Sequence, residues 1–316
     1  MRRVQAVLIA GTIYLCSACA RVPQASDWQV SSLVQERITK CVHWNHGTPE
    51  DNRVECCIEQ LLKQDLNIDM AVQIALLNNP QIQANFEELG IAQADLVQAG
   101  LLQNPIFEGV VRFPDRSSSV SNIGLSMTQG FLNVFLIPLR KKVASTELEQ
   151  AEYQVASVVL DIALHVQETY YSLQTEQTKL GLLELLVEST SASNQLAVKQ
   201  REAGNINDLE LQNQTSLYLQ ATLELSKTQN QIAHLRKELN TLLGLRPSQA
   251  NWHIPNELPG LPVDELSKEK LHALALSQRL DMAYLRLEIK RISQMGATKE
   301  WWAYTDPAVG ISGERD

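Results

Sequence analysis

The chain has 316 residues, and its 36 acidic residues outnumber 27 basic ones, for a net charge of -9. That balance lacks the basic footprint of a nucleic-acid binder, and no P-loop, dinucleotide fingerprint or nucleophile elbow occurs along the chain. Beyond the N-terminal segment no apolar run approaches about 18 residues, so any crossing of a membrane must be made by strands.

Met1-Arg2-Arg3 followed by the apolar run Val4–Leu15 is a charged leader with a hydrophobic core too short for a stable anchor. Residues 1–18 are expected to be a signal peptide that is removed. The run ends in Cys16-Ser17-Ala18-Cys19, which resembles a bacterial lipoprotein signal with Cys16 in place of the usual leucine. The resemblance implies acylation of Cys19; plain secretion is the alternative. Ala20, which is not acidic, looks like an address for the outer membrane.

Residues 19–66 form an N-terminal extension that keeps Cys41, Cys56 and Cys57 after processing. Grouped with His43 and His46, these thiols suggest a soft-metal site for zinc or copper. The spacing matches no familiar zinc pattern, and adjacent cysteines rarely ligate one ion together. A disulfide formed in an oxidising compartment is the preferred reading, and neither a metal nor any other cofactor is expected.

Further along, Ile106–Phe113 alternates. Phe107, Val111 and Phe113 share one face, and Glu108 and Arg112 the other. After a turn at Pro114–Ser119, Ile123, Leu125 and Met127 again share a face, opposite Asn122, Ser126 and Thr128. Residues 106–130 therefore read as a β-hairpin with an apolar and a polar side. A transmembrane barrel uses that alternation, as does a half-buried soluble hairpin. Phe131, Phe135 and Pro138-Leu139-Arg140-Lys141-Lys142 read as interface aromatics, a proline in the first helical turn and a basic boundary.

From Leu139 to Arg246 there is no proline, and Gly204 stands in Arg201-Glu202-Ala203-Gly204-Asn205-Ile206-Asn207-Asp208-Leu209, a tight reversal. Residues 139–243 are thus a helical hairpin with arms of roughly 95 and 55 Å. Leu225, Ile232 and Leu239, with Leu235 and Leu242, have coiled-coil spacing in the return arm. In the outgoing arm Leu148, Val155 and Ile162 form one row, and Ala151, Val158 and His165 a second, with His165 a polar seam residue. Residues 247–266, rich in proline, form a linker. Around it the sequence repeats: Ala75-Leu76, Ile82 and Leu89 correspond to Ala275-Leu276, Met282 and Ile289, each set in one helix of about 25 to 30 residues. Asn104-Pro105 likewise corresponds to Asp306-Pro307. Residues 67–246 are a first repeat, and 267–316 the start of a second that is cut off.

This order of parts resembles the outer-membrane efflux protein (TolC) family. The residues that carry the likeness are Ala71–Pro80, Ala92–Leu96, Gln103-Asn104-Pro105, the tip Arg201–Leu209 and Leu239–Leu245. Within the family the chain is most similar to lipoprotein members that serve heavy-metal cation efflux. The implied fold is mostly α with a small β part: a long antiparallel coiled-coil hairpin and a transmembrane β-hairpin, half of a two-repeat protomer of a trimeric α/β-barrel duct. The implied function is passive export of small solutes, metal cations among them, and not catalysis. Implied partners are two further copies in a homotrimer, a periplasmic adaptor, an inner-membrane pump and outer-membrane lipid. Arg201, Gly204, Asn207 and Leu209 resemble the turn that meets the adaptor, with Asn207 where serine is usual. A periplasmic adaptor or a metal-handling lipoprotein with a coiled-coil hairpin is the alternative function. One repeat alone is expected not to conduct.

Overall fold

A computed structural model describes residues 27–102, 104–113, 122–130, 133–256, 258–260, 266–302 and 308–315. The signal segment and Cys19 lie outside the described residues. Helices α1 (Trp28–Ile38), α2 (Pro49–Leu61), α3 (Ile68–Asn78) and α4 (Pro80–Ala99) precede strands β1 (Ile106–Arg112) and β2 (Asn122–Gly130). The long helices α5 (Asn133–Glu202) and α6 (Asp208–Leu242) come next, followed by α7 (Lys268–Gln278), α8 (Leu280–Trp302) and β3 (Ala308–Arg315). Among the described residues the chain divides into two compact units. Glu87–Gln154 and Arg279–Asp316 form one, and Asp27–Phe86 with Val155–Gln278 the other.

The first unit contains an antiparallel sheet of order β1-β2-β3. Its register puts Phe107 opposite Met127 and Val111 opposite Ile123, so both predicted apolar rows share one face. Gly109 stands opposite Leu125, where a Cβ would lie 3.6 Å from Leu125 Cδ2. β3 adds the third strand, with Met127 paired to Ile311. Below the sheet, α5 opens five residues before Pro138, which therefore sits inside the helix and not in its first turn as expected. Pro138 leaves one backbone hydrogen bond unmade, because proline has no N–H for the carbonyl four residues earlier.

Within this unit α5 and α8 meet through polar side chains. Thr146 Oγ1 donates to Gln294 Oε1 at 3.1 Å, and Gln150 Nε2 donates to Glu288 Oε2 at 2.8 Å. Arg291 bonds both Glu288, at 2.6 Å, and Glu147, at 3.2 Å. The Arg291 guanidinium and the Gln150 amide hold the Glu288 carboxyl down at about 2. Glu152 behaves oppositely: burial, helped by the charge of Glu149, pushes it up to about 7.

The second unit carries the hairpin formed by α5 and α6. On α6, Ala221, Thr228 and Leu235 are buried at seven-residue spacing, with buried Leu239 in the alternate seam position; Leu235 and Leu239 are both predicted seam residues. Lys179 of α5 reaches Glu224 of α6 at 3.0 Å across the hairpin. On α5 the buried face differs from the expected one. Val155 and Ile162 are buried, but the second row is Val159, Val166 and Leu173, with Ala156, Ala163 and Tyr170 beside it. Val158 is half-buried and His165 is exposed, hydrogen-bonded to Glu238 at 3.2 Å. A single coiled-coil seam could not cover so wide a face. It is covered on a second side as well, where the Tyr170 hydroxyl donates to Leu66 O at 2.9 Å and Gln174 Nε2 to Pro255 O at 2.8 Å.

The expected single helices of the repeat are broken. Between α3 and α4, Asn79 is extended, at φ -67 and ψ 123. Pro80 enforces this, since its ring excludes helical backbone from the preceding residue. A second break falls between Gln278 and Leu280, where no proline stands.

Candidate functional site

Four places carry the residues singled out by the sequence: the hairpin tip, the sheet face, the N-terminal extension and the end of α6. At the tip, Gly204 has φ +77, and its N–H bonds Arg201 O at 2.9 Å while Asn205 N–H bonds Gln200 O at 2.9 Å. That paired closure ends α5 on a left-handed residue, the conformation glycine adopts at least cost. Asn207 then starts α6, its side-chain oxygen accepting from Glu210 N at 2.8 Å. Arg201 spans the turn, holding both carboxylate oxygens of Asp208 at 2.6 and 3.0 Å. These bonds fix the loop and leave Leu209 70% exposed, an apolar side chain presented beside a rigid turn.

On the sheet, Phe107, Val111, Phe113, Ile123, Leu125 and Met127 are all exposed, by 42 to 81%. So large a set of uncovered apolar groups on one face calls for a lipid or protein cover.

The extension is clamped to the α3–α4 pair by two glutamines. Gln73 donates to Cys41 O at 2.8 Å and accepts from Cys41 N at 3.2 Å. Gln83 donates to His43 O at 2.9 Å and accepts from Asn45 N at 2.8 Å. Each side-chain amide thus imitates a neighbouring strand, and between them the buried Trp44 stacks on Phe86 at 5.5 Å. The metal candidates are not brought together. His43 Nε2 bonds Asp51 Oδ1 at 2.6 Å and helps hold the Asp51 carboxyl below its ordinary range, and His46 packs on Trp44. Cys41, Cys56 and Cys57 are all exposed and free, so the expected disulfide is not formed. Cys56 and Cys57 are consecutive on α2, and neighbours on a helix point in different directions. No three His, Cys, Asp or Glu side chains among the described residues are placed to hold a metal ion.

The fourth place was not legible as a site. Asn78 Nδ2 donates to Leu243 O at 2.9 Å and Gly244 O at 2.7 Å, and Asn79 Nδ2 donates to Leu242 O at 2.7 Å. Two asparagine amides therefore satisfy the carbonyls that the end of α6 leaves without helical partners. Asn79 also caps α4, its oxygen accepting from Gln81 N at 2.7 Å and Ile82 N at 3.2 Å. Gly244 has φ +65, and a Cβ there would run into the Asn78 carbonyl. The Asn-Asn-Pro and Leu-Leu-Gly-Leu segments, 165 residues apart, are the two halves of one joint. The signal that could have found it is the pair of adjacent asparagines before a proline, where one side-chain oxygen caps the helix that follows and both amides are left to donate elsewhere.

Comparison with known proteins decides the family. The sequence model described as outer membrane efflux protein matches residues 71–245, more than half of the chain. The chain belongs to that family. Its match runs from α3 through the joint at Gly244, and so contains both asparagines and the tip. The cobalt-zinc-cadmium resistance protein CzcC of Cupriavidus metallidurans is 23% identical over 254 residues, covering 79% of this chain and 59% of the relative. Two outer-membrane proteins share the fold. The Campylobacter jejuni CmeC channel is 15% identical with a TM-score of 0.60, covering 79% of this chain and 56% of its own. Vibrio cholerae VceC is also 15% identical, with a TM-score of 0.58 over 81% of this chain and 69% of its own. The chain spans well under two thirds of the length of CzcC. Membership sets aside the adaptor alternative, and the mostly α fold with a long coiled-coil hairpin and a small β part stands.

Proposed function

We propose that the chain acts in the outer membrane as part of a passive export duct of a tripartite pump. The observation that carries this reading is the continuous 70-residue helix α5, which starts three residues after an uncovered apolar strand and ends at the tip. In this reading the sheet lies in the bilayer with Phe107, Val111, Phe113, Ile123, Leu125 and Met127 toward lipid, and three copies close one barrel. The tip, with Arg201, Gly204, Asn207 and Leu209, docks a periplasmic adaptor, and an acyl group on Cys19 tethers the N-terminus. Small solutes are the cargo, divalent metal cations the candidate class, since CzcC is by name a cobalt-zinc-cadmium resistance protein. The duct itself performs no chemistry; an inner-membrane pump supplies the driving force.

The test is made in the gene's own setting. In a Gram-negative strain lacking its metal-efflux ducts, the full gene with a compatible adaptor and pump should restore zinc and cobalt tolerance. Leu209→Asp, at a position 70% exposed, should abolish that rescue at unchanged protein level, with loss of adaptor crosslinking. Full tolerance in the Leu209→Asp strain would remove tip docking, and no rescue by the unaltered gene would remove the metal assignment.

A further inference from the structure

In the sheet unit, the end of α4 and the start of α5 border a cavity of about 450 Å3, within the size range of small-molecule sites. Arg140 forms one wall. Among the described residues its buried Nε has no hydrogen-bond partner, and its one bond runs from Nη2 to Leu101 O at 3.4 Å. No carboxylate among the described residues lies within 4.0 Å of its guanidinium. Asp95 borders the same cavity, also without an ion pair among the described residues, and Glu147 is committed to Arg291. A cation and a carboxylate thus share one cavity without neutralising each other. A simple anion would be repelled by Asp95 and a metal ion by Arg140, whereas a ligand carrying both signs satisfies both.

The position along the chain says where such a ligand would come from. Arg140 follows the first residue of α5 by seven, roughly 10 Å of helix, and α5 itself follows β2 directly. Exposed Phe135 precedes it, exposed Leu101 and Leu102 lie on the facing segment, and Lys141 and Lys142 follow. Apolar, then aromatic, then basic is the order of a membrane boundary, where lipid head groups sit. We propose that this cavity binds the phosphoethanolamine head group of an aminophospholipid, with Arg140 taking the phosphate and Asp95 the ammonium. The inference rests on the proposed position of the sheet in the bilayer.

The test uses the full chain in a neutral detergent and short-chain lipids below their micelle concentration. Dihexanoyl-phosphatidylethanolamine should bind about tenfold or more tightly than dihexanoyl-phosphatidylglycerol, and Arg140→Gln and Asp95→Asn should each weaken it about tenfold. Asp95→Lys should reverse the preference toward the glycerol lipid. Asp95 is exposed, so this charge swap decides the matter even if Arg140→Gln fails to fold. Equal binding of the two lipids, or an unchanged preference in Asp95→Lys, overturns the proposal. Free phosphoethanolamine binding as tightly as the lipid would assign the cavity to a soluble ligand and overturn the lipid claim. Flotation of the Cys19→Ser chain with liposomes is read separately. A chain that does not float refutes the membrane position of the sheet, while the short-chain lipid result still judges the cavity.

Discussion

The α3–α4 and α7–α8 pairs carry the same apolar spacing, and both break at corresponding residues, 79 and 279, yet their surroundings are opposite. In α3, Ala71, Val72, Ile74, Ala75 and Leu76 are buried, while α7 buries nothing. Leu276, the counterpart of Leu76, is 47% exposed, and Ile289, the counterpart of the buried Leu89, is 71% exposed. The first break is made by Pro80 and held by the Asn78 and Asn79 amides on the end of α6. The second is held from outside, by Arg37 of α1 donating to Gln278 O at 3.1 and 3.3 Å, and by the Arg279–Asp281 pair. A repeated sequence pattern therefore specifies where a helix is and where it bends. Whether its apolar stripe becomes core depends on what else in the chain reaches it.

That contrast can be broken at matched positions. Leu76→Ala should cost about 3 kcal/mol in urea unfolding of the second unit, because the side chain is fully buried. Leu276→Ala should stay within about 0.5 kcal/mol. A cost at Leu276 near that of Leu76 would reveal a cover over α7 in solution. Next comes the joint. Gly244→Ala adds a collision with Asn78 to an unfavourable φ and should cost about 3 kcal/mol. Gly204→Ala has open space around it and should cost about 1 kcal/mol. Equal effects would mean that the asparagine joint is loose. Third, Asn79→Ala strips donors and acceptors from two helix ends and should cost about 2 kcal/mol, against under about 0.5 kcal/mol for Arg279→Ala, whose pair with Asp281 is solvent-exposed.

The smallest effects concern pH in the α5–α8 contact. Glu288, held at about 2 against an ordinary 4.5, contributes stability that is present above 4.5 and is lost as pH falls toward 2. Glu152, raised to about 7, has the opposite sign: the folded state favours its protonated form, so stability is lost as pH rises from 4.5 through about 7. Glu152→Gln should therefore raise the thermal midpoint at pH 8 and leave it unchanged at pH 4. A midpoint gain equal at both values would show that the carboxyl is solvated.

Sequence alone determined the parts whose physics is local. The proline-free run gives long helices, Gly204 with Asn207 gives the reversal, and alternation gives the two strands and their shared apolar face. Each follows from backbone propensity or period within a few residues. Local rules misplaced Pro138, because a helix can absorb one missing hydrogen bond near its start. They also passed over both breaks, the first although Pro80 marks it and the second with no proline to mark it, and they expected one disulfide among Cys41, Cys56 and Cys57, which are all free thiols. Tertiary structure alone decided the rest: that α5 is covered on two sides, that Gln73 and Gln83 act as strand edges for the extension, and that Asn78 and Asn79 close the end of α6. The reason is that a buried carbonyl or amide must find a partner wherever the chain brings one, and the partner's distance in sequence leaves no trace in local composition.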